Sequence, residues 1–210
     1  MCIRDRIKVG RFGAEDDAAR VRLARRVIGG DRLLMVDANN AYGLREAMSF
    51  AEVLADEGVT FFEEPIPFGD PEVSAELRAR SRVPIAGYEL ETSHAALEPY
   101  ITARAVDVIQ PDAVWCGGIG EAIAVASAAE RRGIAVVPHN FSSFVALGAN
   151  YQVVCSTERS DLLEYDCTGC PFIDEIAGCA SPYVAADGSI APSELPGLGV
   201  ELDHVALTEL

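Results

Sequence analysis

The sequence predicts an α/β fold, a (β/α)8 TIM-type barrel, and three observations carry that prediction. Short apolar runs alternate with amphipathic stretches along the chain, the rhythm of repeated βα units over a parallel sheet. Helix starts and stops are well marked, as where Asp70-Pro71 opens one stretch and Arg132-Gly133 closes another. A chemically capable polar residue stands at the end of each predicted strand, once per unit.

The predicted strands are 7–9, 33–37, 59–63, 84–88, 106–110, 134–138 and 161–165. Helices are predicted over 14–27, 44–57, 71–82, 93–103, 119–132 and 143–158. A doubly wound sheet would alternate in the same way. It would usually carry a glycine-rich phosphate turn after its first strand, and Val9-Gly10-Arg11-Phe12-Gly13 is a weak match to one. The strand-end residues favour the barrel. Lys8, Asp37, Glu63, Glu89, Asp112, His139 and Glu164 recur at intervals of 23 to 29 residues, one βα period each. In a barrel those ends surround a single cavity. Any one of them alone reads equally well as a helix cap or loop charge, but a run of them in phase does not.

Composition narrows the function. Half of the residues are hydrophobic, enough for a full core in a 210-residue chain. Formal charge is −16 with no basic cluster, which argues against nucleic acid or an anionic membrane as partner and for a small ligand. Sixteen of the 17 basic residues are arginine, leaving Lys8 as the one lysine. The chain has neither an apolar run of about 18 residues nor a charged-then-apolar leader, so a soluble, cytoplasmic protein is expected. The six cysteines lack framework spacing and read as reduced thiols; Cys167 and Cys170 form one CxxC, a weak zinc signal without a second pair.

Five of the seven strand-end residues are acidic. Around one cavity they raise one another's pKa unless a counter-charge is present, and a divalent cation is the obvious resident. Asp37, Glu63 and Glu89 on adjacent strands supply hard oxygen ligands with positions left for water or substrate, which suits Mg²⁺.

At these residues the chain resembles the enolase superfamily, in its mandelate racemase-like branch (the mandelate racemase/muconate lactonizing enzyme family). The matching words are Ile7-Lys8-Val9-Gly10, Val36-Asp37-Ala38-Asn39, Phe62-Glu63-Glu64-Pro65 and Pro84-Ile85-Ala86-Gly87-Tyr88-Glu89. They continue through Gln110-Pro111-Asp112 to Gly117-Gly118, then Val137-Pro138-His139 and Leu163-Glu164-Tyr165. The resemblance implies Mg²⁺ ligation by Asp37, Glu63 and Glu89, a base at Lys8, and a base or acid at His139 oriented by Asp112. Glu164 would donate a hydrogen bond to an enediolate oxygen, and Asn39 and Arg6 would contact substrate. The implied reaction is abstraction of the proton α to a carboxylate.

The chemistry needs these residue types. Such a proton leaves only if the charge arriving on the carboxylate is stabilised, by a Lewis acid and a neutral carboxylic acid together. Lys8 is expected to be buried beside a metal and Arg6, surroundings in which an amine sheds its proton. His139 suits proton transfer near neutral pH. Two bases on opposite faces allow racemisation, whereas a base followed by an acid allows loss of a β-hydroxyl. Glu91, Asp107 and Asp166 are expected to lie outside the pocket, Glu64 to support its neighbours, and Trp115 to pack in the core.

The resemblance further implies an amino-terminal α+β capping domain and a first barrel strand, neither of which is recognisable here. The expected organisation is therefore a truncated barrel over 7–180, a non-native leader over 1–6, and a return segment over 181–210 that would pack on the cap. An acid-sugar (aldonate or aldarate) dehydratase is the leading expectation. A racemase or epimerase of a 2-hydroxy or amino acid is the alternative, and an inactive metal-binding fragment is the alternative from another class. A muconate-lactonising or dipeptide-epimerising relative would need a second lysine on the sixth strand, which the sequence lacks. A homo-oligomer is expected of the full-length form by analogy alone.

Overall fold

A computed structural model of the protein describes residues 6–166, with 176, 185, 188–191 and 195–208. Cys167, Cys170 and their CxxC, and residues 1–5 of the expected leader, lie outside the described residues. Arg6 is described, and it begins the first strand.

Six strands form one parallel sheet in sequence order: β1 (Arg6–Lys8), β2 (Met35–Asp37), β3 (Phe61–Glu63), β4 (Ile85–Gly87), β5 (Val108–Ile109) and β6 (Ala135–Val136). In-register pairing sets Lys8 beside Asp37 and Asp37 beside Glu63. Six helices alternate with them: α1 (Ala14–Ile28), α2 (Leu44–Asp56), α3 (Pro71–Arg80), α4 (His94–Ala103), α5 (Ile119–Glu130) and α6 (Phe144–Cys155). Their starts are chemically fixed. Asp70 accepts from the Glu72 and Val73 N–H groups ahead of Pro71, Ser93 accepts from Ala96 N–H, and Ser143 accepts from Ala146 N–H. No helix among the described residues is long and apolar enough to cross a membrane.

The alternation of strand side chains decides what faces where. Met35, Phe61, Ala86 and Val108 share an interior cluster with Val137, while Val36, Phe62, Ile85 and Ile109 join the outer core against the helices. Two residues beyond Met35 and Phe61, on the same side, come Asp37 and Glu63. Arg6 and Lys8 flank Ile7, which packs on the outer core, so both point to the interior side as well.

The predicted strand 161–165 is not a seventh member of the sheet. Val136 N–H bonds Arg159 O at 3.1 Å, and Leu162 packs on the interior cluster, so the segment follows the barrel wall without a regular ladder. It still lies where the two ends of the sheet approach each other. A flat sheet would put β1 and β6 roughly 24 Å apart, yet Arg6 on β1 pairs with Glu164 beyond β6. Only a sheet curled back on itself allows that contact. Ile190 and Val200, from the expected return segment, pack on Phe144, Leu147, Tyr151 and Leu163. Trp115, expected in the core, is 52% exposed in the loop before α5.

One buried carboxylate ties the first two units together. Asp17 accepts from Gly10 N–H at 2.7 Å, the Tyr42 hydroxyl at 2.9 Å and Arg20 Nη1 at 2.8 Å. Gly10 itself is obligatory: its φ is +90° and a Cβ there would lie 2.3 Å from that of Ala41. Asp17→Ala strands two donors and is expected to destabilise the fold by about 1–3 kcal/mol, read as a lower urea midpoint at an unchanged slope. A midpoint equal to wild type would refute this role.

Candidate active site at the carboxyl ends of the strands

Three of the strands end in sharply turned backbone beside their polar residues. After β2, Asn39 and Asn40 take φ values of 42° and 63°; after β3, Glu64 takes 39°; after β4, Tyr88 takes 76°. Left-handed residues of this kind are uncommon outside glycine and store strain where chains must turn abruptly. At Tyr88 the turn also resets the side-chain alternation. Ala86 faces the interior, Tyr88 packs on the outer core, and Glu89 returns to the site.

Asp37, Glu63, Glu89, Asp112, His139 and Glu164 are all buried, and ion pairs link five of them to one another or to Arg6 in a single cluster. Asp112 joins it through His139. The structure therefore brings together the expected residues, with two distinctions.

The first concerns who faces whom. Glu89, His139 and Glu164 each offer a donor atom within 4.8 Å of the others, close enough to share a metal ion. His139 Nε2 stands 3.5 Å from Glu89 and 3.9 Å from Glu164. Asp37 and Glu63, the other two expected ligands, face cations of the chain itself. Arg6 Nη1 lies 2.6 Å from Glu63 and 3.4 Å from Asp37, its Nη2 pairs with Glu164, and Lys8 Nζ pairs with Asp37.

The second concerns Lys8. Its side chain is 55% exposed, where burial was expected, because β1 stands at the sheet edge. Its ammonium also donates to Asn39 Oδ1 at 2.7 Å, so Asn39 holds the lysine in the cavity mouth.

A metal ion fits these residues. Among the described residues Glu63 Oε2 and Glu89 Oε2 are buried without a hydrogen-bond partner, and buried polar atoms seldom stay unpaired. Hard carboxylate oxygens in excess of the available donors are what Mg²⁺ requires, and Glu89, Glu63, Asp37 and Glu164 supply them.

The charges respond to burial as like-charge crowding dictates. Desolvation, then Asp37, pushes the Glu63 carboxyl well above the usual range. Desolvation likewise raises Glu164, with Glu89 adding to it, against the pull of Arg6 and His139. Glu64 is pushed up to about 7 by burial and by Glu89 and Asp37; Asn40 Nδ2 donates to its Oε2 at 2.7 Å.

His139 and Asp112 form a held pair. His139 Nδ1 is 2.8 Å from Asp112 Oδ2, while Asp112 Oδ1 accepts from Asn150 Nδ2 at 3.0 Å and from Val114 N–H at 2.9 Å. Nδ1 thus carries the proton toward the carboxylate and Nε2 faces Glu89 and Glu164. The sequence reading missed Asn150, which also accepts from Ala113 N–H at 2.8 Å. Its signal was available: a buried amide in the otherwise apolar run of α6. It missed Gln110 too, whose amide is fully buried with both ends unpartnered among the described residues. Asp107, by contrast, lies outside the pocket as expected, held by Arg78 at 2.6 Å and Ile85 N–H at 3.0 Å.

Burial draws the His139 pKa down, but the Asp112 hydrogen bond with Glu89 and Glu164 raises it on balance, and the same bond helps hold Asp112 below its ordinary value. A raised imidazole contributes stability that is complete below its unfolded pKa, about 6.5, and is lost as pH rises through the folded value. A depressed carboxylate contributes stability present above about 3.9 and lost as pH falls through the folded value. In metal-free protein, imidazole NMR titration should give His139 a pKa above the ordinary histidine value, and Asp112→Asn should lower it. An unchanged titration in Asp112→Asn would show that the pair does not act on the imidazole.

With this geometry, the comparisons with known proteins acquire meaning. Residues 4–206 match the family model described as enolase C-terminal domain-like. The D-galactarolactone cycloisomerase of Agrobacterium fabrum is 32% identical over 97% of this chain and 55% of that protein. The arabinonate dehydratase of Saccharolobus solfataricus is 35% identical over 72% of this chain and 40% of that protein. The crystal structure of the 3,6-anhydro-D-galactonate cycloisomerase from Zobellia galactanivorans superposes with a TM-score of 0.90 at 29% identity, covering 97% of this chain and 57% of that one. The chain spans about half the length of the relatives it matches. A parallel barrel wall, its carboxyl-end cluster of acids and a family match across nearly the whole chain agree: the protein belongs to the enolase superfamily, through the C-terminal barrel domain of its mandelate racemase/muconate lactonizing branch.

Proposed function

We propose that this chain carries the site of a Mg²⁺-dependent enzyme that removes the proton α to the carboxylate of a small hydroxylated acid, and that the reaction is dehydration of an acid sugar. The observation that carries the reading is the buried acid cluster, with Glu63 Oε2 and Glu89 Oε2 lacking hydrogen bonds, beside a His139–Asp112 pair. Asp37, Glu63 and Glu89 would hold the ion, with Glu164 and His139 near enough to share or border it. When bound, Mg²⁺ supplies the positive charge that a carboxylate needs while its α-proton leaves.

The chain's own residues do the rest. Lys8, once neutral, takes the α-proton from one side, and Asn39 keeps its Nζ in place. His139 carries a proton on Nε2 to the departing β-hydroxyl, while Asp112 stabilises the imidazole in that form. Glu164, whose carboxyl is raised by burial, donates a hydrogen bond to the developing oxyanion. Arg6 supplies the positive group that an anionic substrate requires in a chain of net charge −16. Two similar enzymes bear names of sugar-derived acids or lactones, D-galactarolactone cycloisomerase and arabinonate dehydratase, which supports the same substrate class.

Racemisation or epimerisation is the second reading, favoured by one observation: Lys8 and His139 arise from the first and sixth strands, opposite ends of a curled sheet, so each can serve one face of a bound acid. Phe12, Phe68, Trp115 and Phe141 are exposed apolar side chains on the loops that follow β1, β3, β5 and β6. We assign these loops to a surface that a further segment, such as the capping domain, covers.

Incubation with Mg²⁺ in D₂O against acid sugars and 2-hydroxy acids, followed by NMR, separates the readings. Loss of the α-proton signal with a 2-keto-3-deoxy product establishes dehydration; exchange with inversion alone establishes racemisation; ring opening of a lactone establishes cycloisomerisation. Lys8→Ala and His139→Asn are each expected to reduce the rate about 10²-fold or more. Wild-type protein that exchanges no α-proton on any acid would sink the proposal.

A further inference from the structure

The cation most deeply placed in the acid cluster belongs to the chain. Arg6 touches Glu63, Asp37 and Glu164 at once, with its side chain only 8% exposed. Solvent screens such pairs little. Two of its three partners are residues assigned above to the metal, and the third belongs to the Glu89/His139/Glu164 group that gathers within 4.8 Å. A guanidinium has five donors and no acceptor, so it cannot join a coordination shell. It engages Glu63 Oε1 and Asp37 Oδ2, oxygens of two carboxylates that would hold Mg²⁺, and its charge repels an incoming ion even where Glu63 Oε2 stays open.

We propose that Arg6 is the resident counter-cation of this cluster and competes with the divalent metal, which must displace the guanidinium from Asp37 and Glu63 in order to bind. The proposal rests on the metal-dependent reading given above. Without the ion, Arg6 keeps adjacent carboxylates from repelling one another across β2 and β3. With the ion, that task passes to the metal, and the guanidinium is released into the cavity. A buried ion pair broken by removing one partner leaves the other charge uncompensated, so the metal-free protein depends on Arg6 for stability and the metal-loaded protein does not.

The test titrates Mn²⁺, followed by electron paramagnetic resonance of the free ion at pH 8, into wild type, Arg6→Gln, Arg6→Lys and Glu89→Gln, with thermal melts in parallel. Competition predicts that Arg6→Gln binds Mn²⁺ about tenfold more tightly than wild type and that Arg6→Lys stays near wild type. Arg6→Gln should also melt lower than wild type without metal and gain more from Mn²⁺. If Arg6→Gln folds only when Mn²⁺ is present, the ion has replaced the guanidinium and the proposal stands. Wild-type binding that Arg6→Gln equals or weakens overturns the competition alone, leaving the metal site intact if Glu89→Gln loses the ion. Absence of binding in both wild type and Arg6→Gln overturns the metal site and the competition together. An Arg6→Gln protein that fails to fold even with saturating Mn²⁺, where Arg6→Lys folds, makes Arg6 a structural strut and overturns the proposal.

Discussion

A parallel sheet delivers the carboxyl ends of all its strands to one rim, and here that rim collects acids that burial will not tolerate alone. Asp37 and Glu63 are completely buried side by side on neighbouring strands, with Glu89, Asp112 and Glu164 buried nearby. Charge of one sign held out of water must be protonated, paired with a cation or given a metal. The site uses the second of these through Arg6 and the ordering of His139, and leaves oxygens free for the third. Much else follows from that need: the raised carboxyls of Glu63, Glu64 and Glu164, and the raised imidazole of His139.

Rigid surroundings make such a cluster possible. Interior apolar side chains from β2 to β6, with Leu162, fill the space beneath it, so the acids stand on a packed floor. The helices cover the outer face through a continuous apolar core, where Phe62 meets Tyr42 and Phe50 edge to face and Tyr42 tilts against Phe50, with centroids 5.3 to 6.2 Å apart. Lys8 and Asn39 stand at the cavity mouth, while Asp112, held by the Asn150 amide and the Val114 N–H, lets the imidazole keep one orientation, and Asn150 is itself fixed by the Ala113 N–H.

The strained positions carry a similar lesson. Asn39, Asn40, Glu64 and Tyr88 adopt left-handed backbone directly after their strands, whereas Arg104, the remaining non-glycine example among the described residues, ends a helix. Strand backbone alone would point every second residue inward. At Tyr88 the left-handed turn breaks that rule and presents Glu89, one residue out of phase, to the site.

The sequence by itself determined the alternation of elements, the helix starts at Pro71, His94 and Phe144, and the identity of the strand-end residues, because apolar periodicity, capping chemistry and βα spacing are local and are written in consecutive residues. It overextended the strands and counted 161–165 among them, since an apolar run states a preference for extended backbone but not whether a neighbour supplies a ladder. Only the tertiary structure decided which acids face a cation and which face one another, that Lys8 and Trp115 each stand about half in solvent, and that Asn150 holds Asp112. Those are relations between residues 24 to 158 positions apart, such as Asn40 with Glu64 or Arg6 with Glu164, and they depend on how a sheet curls and how long side chains compete for the same charges.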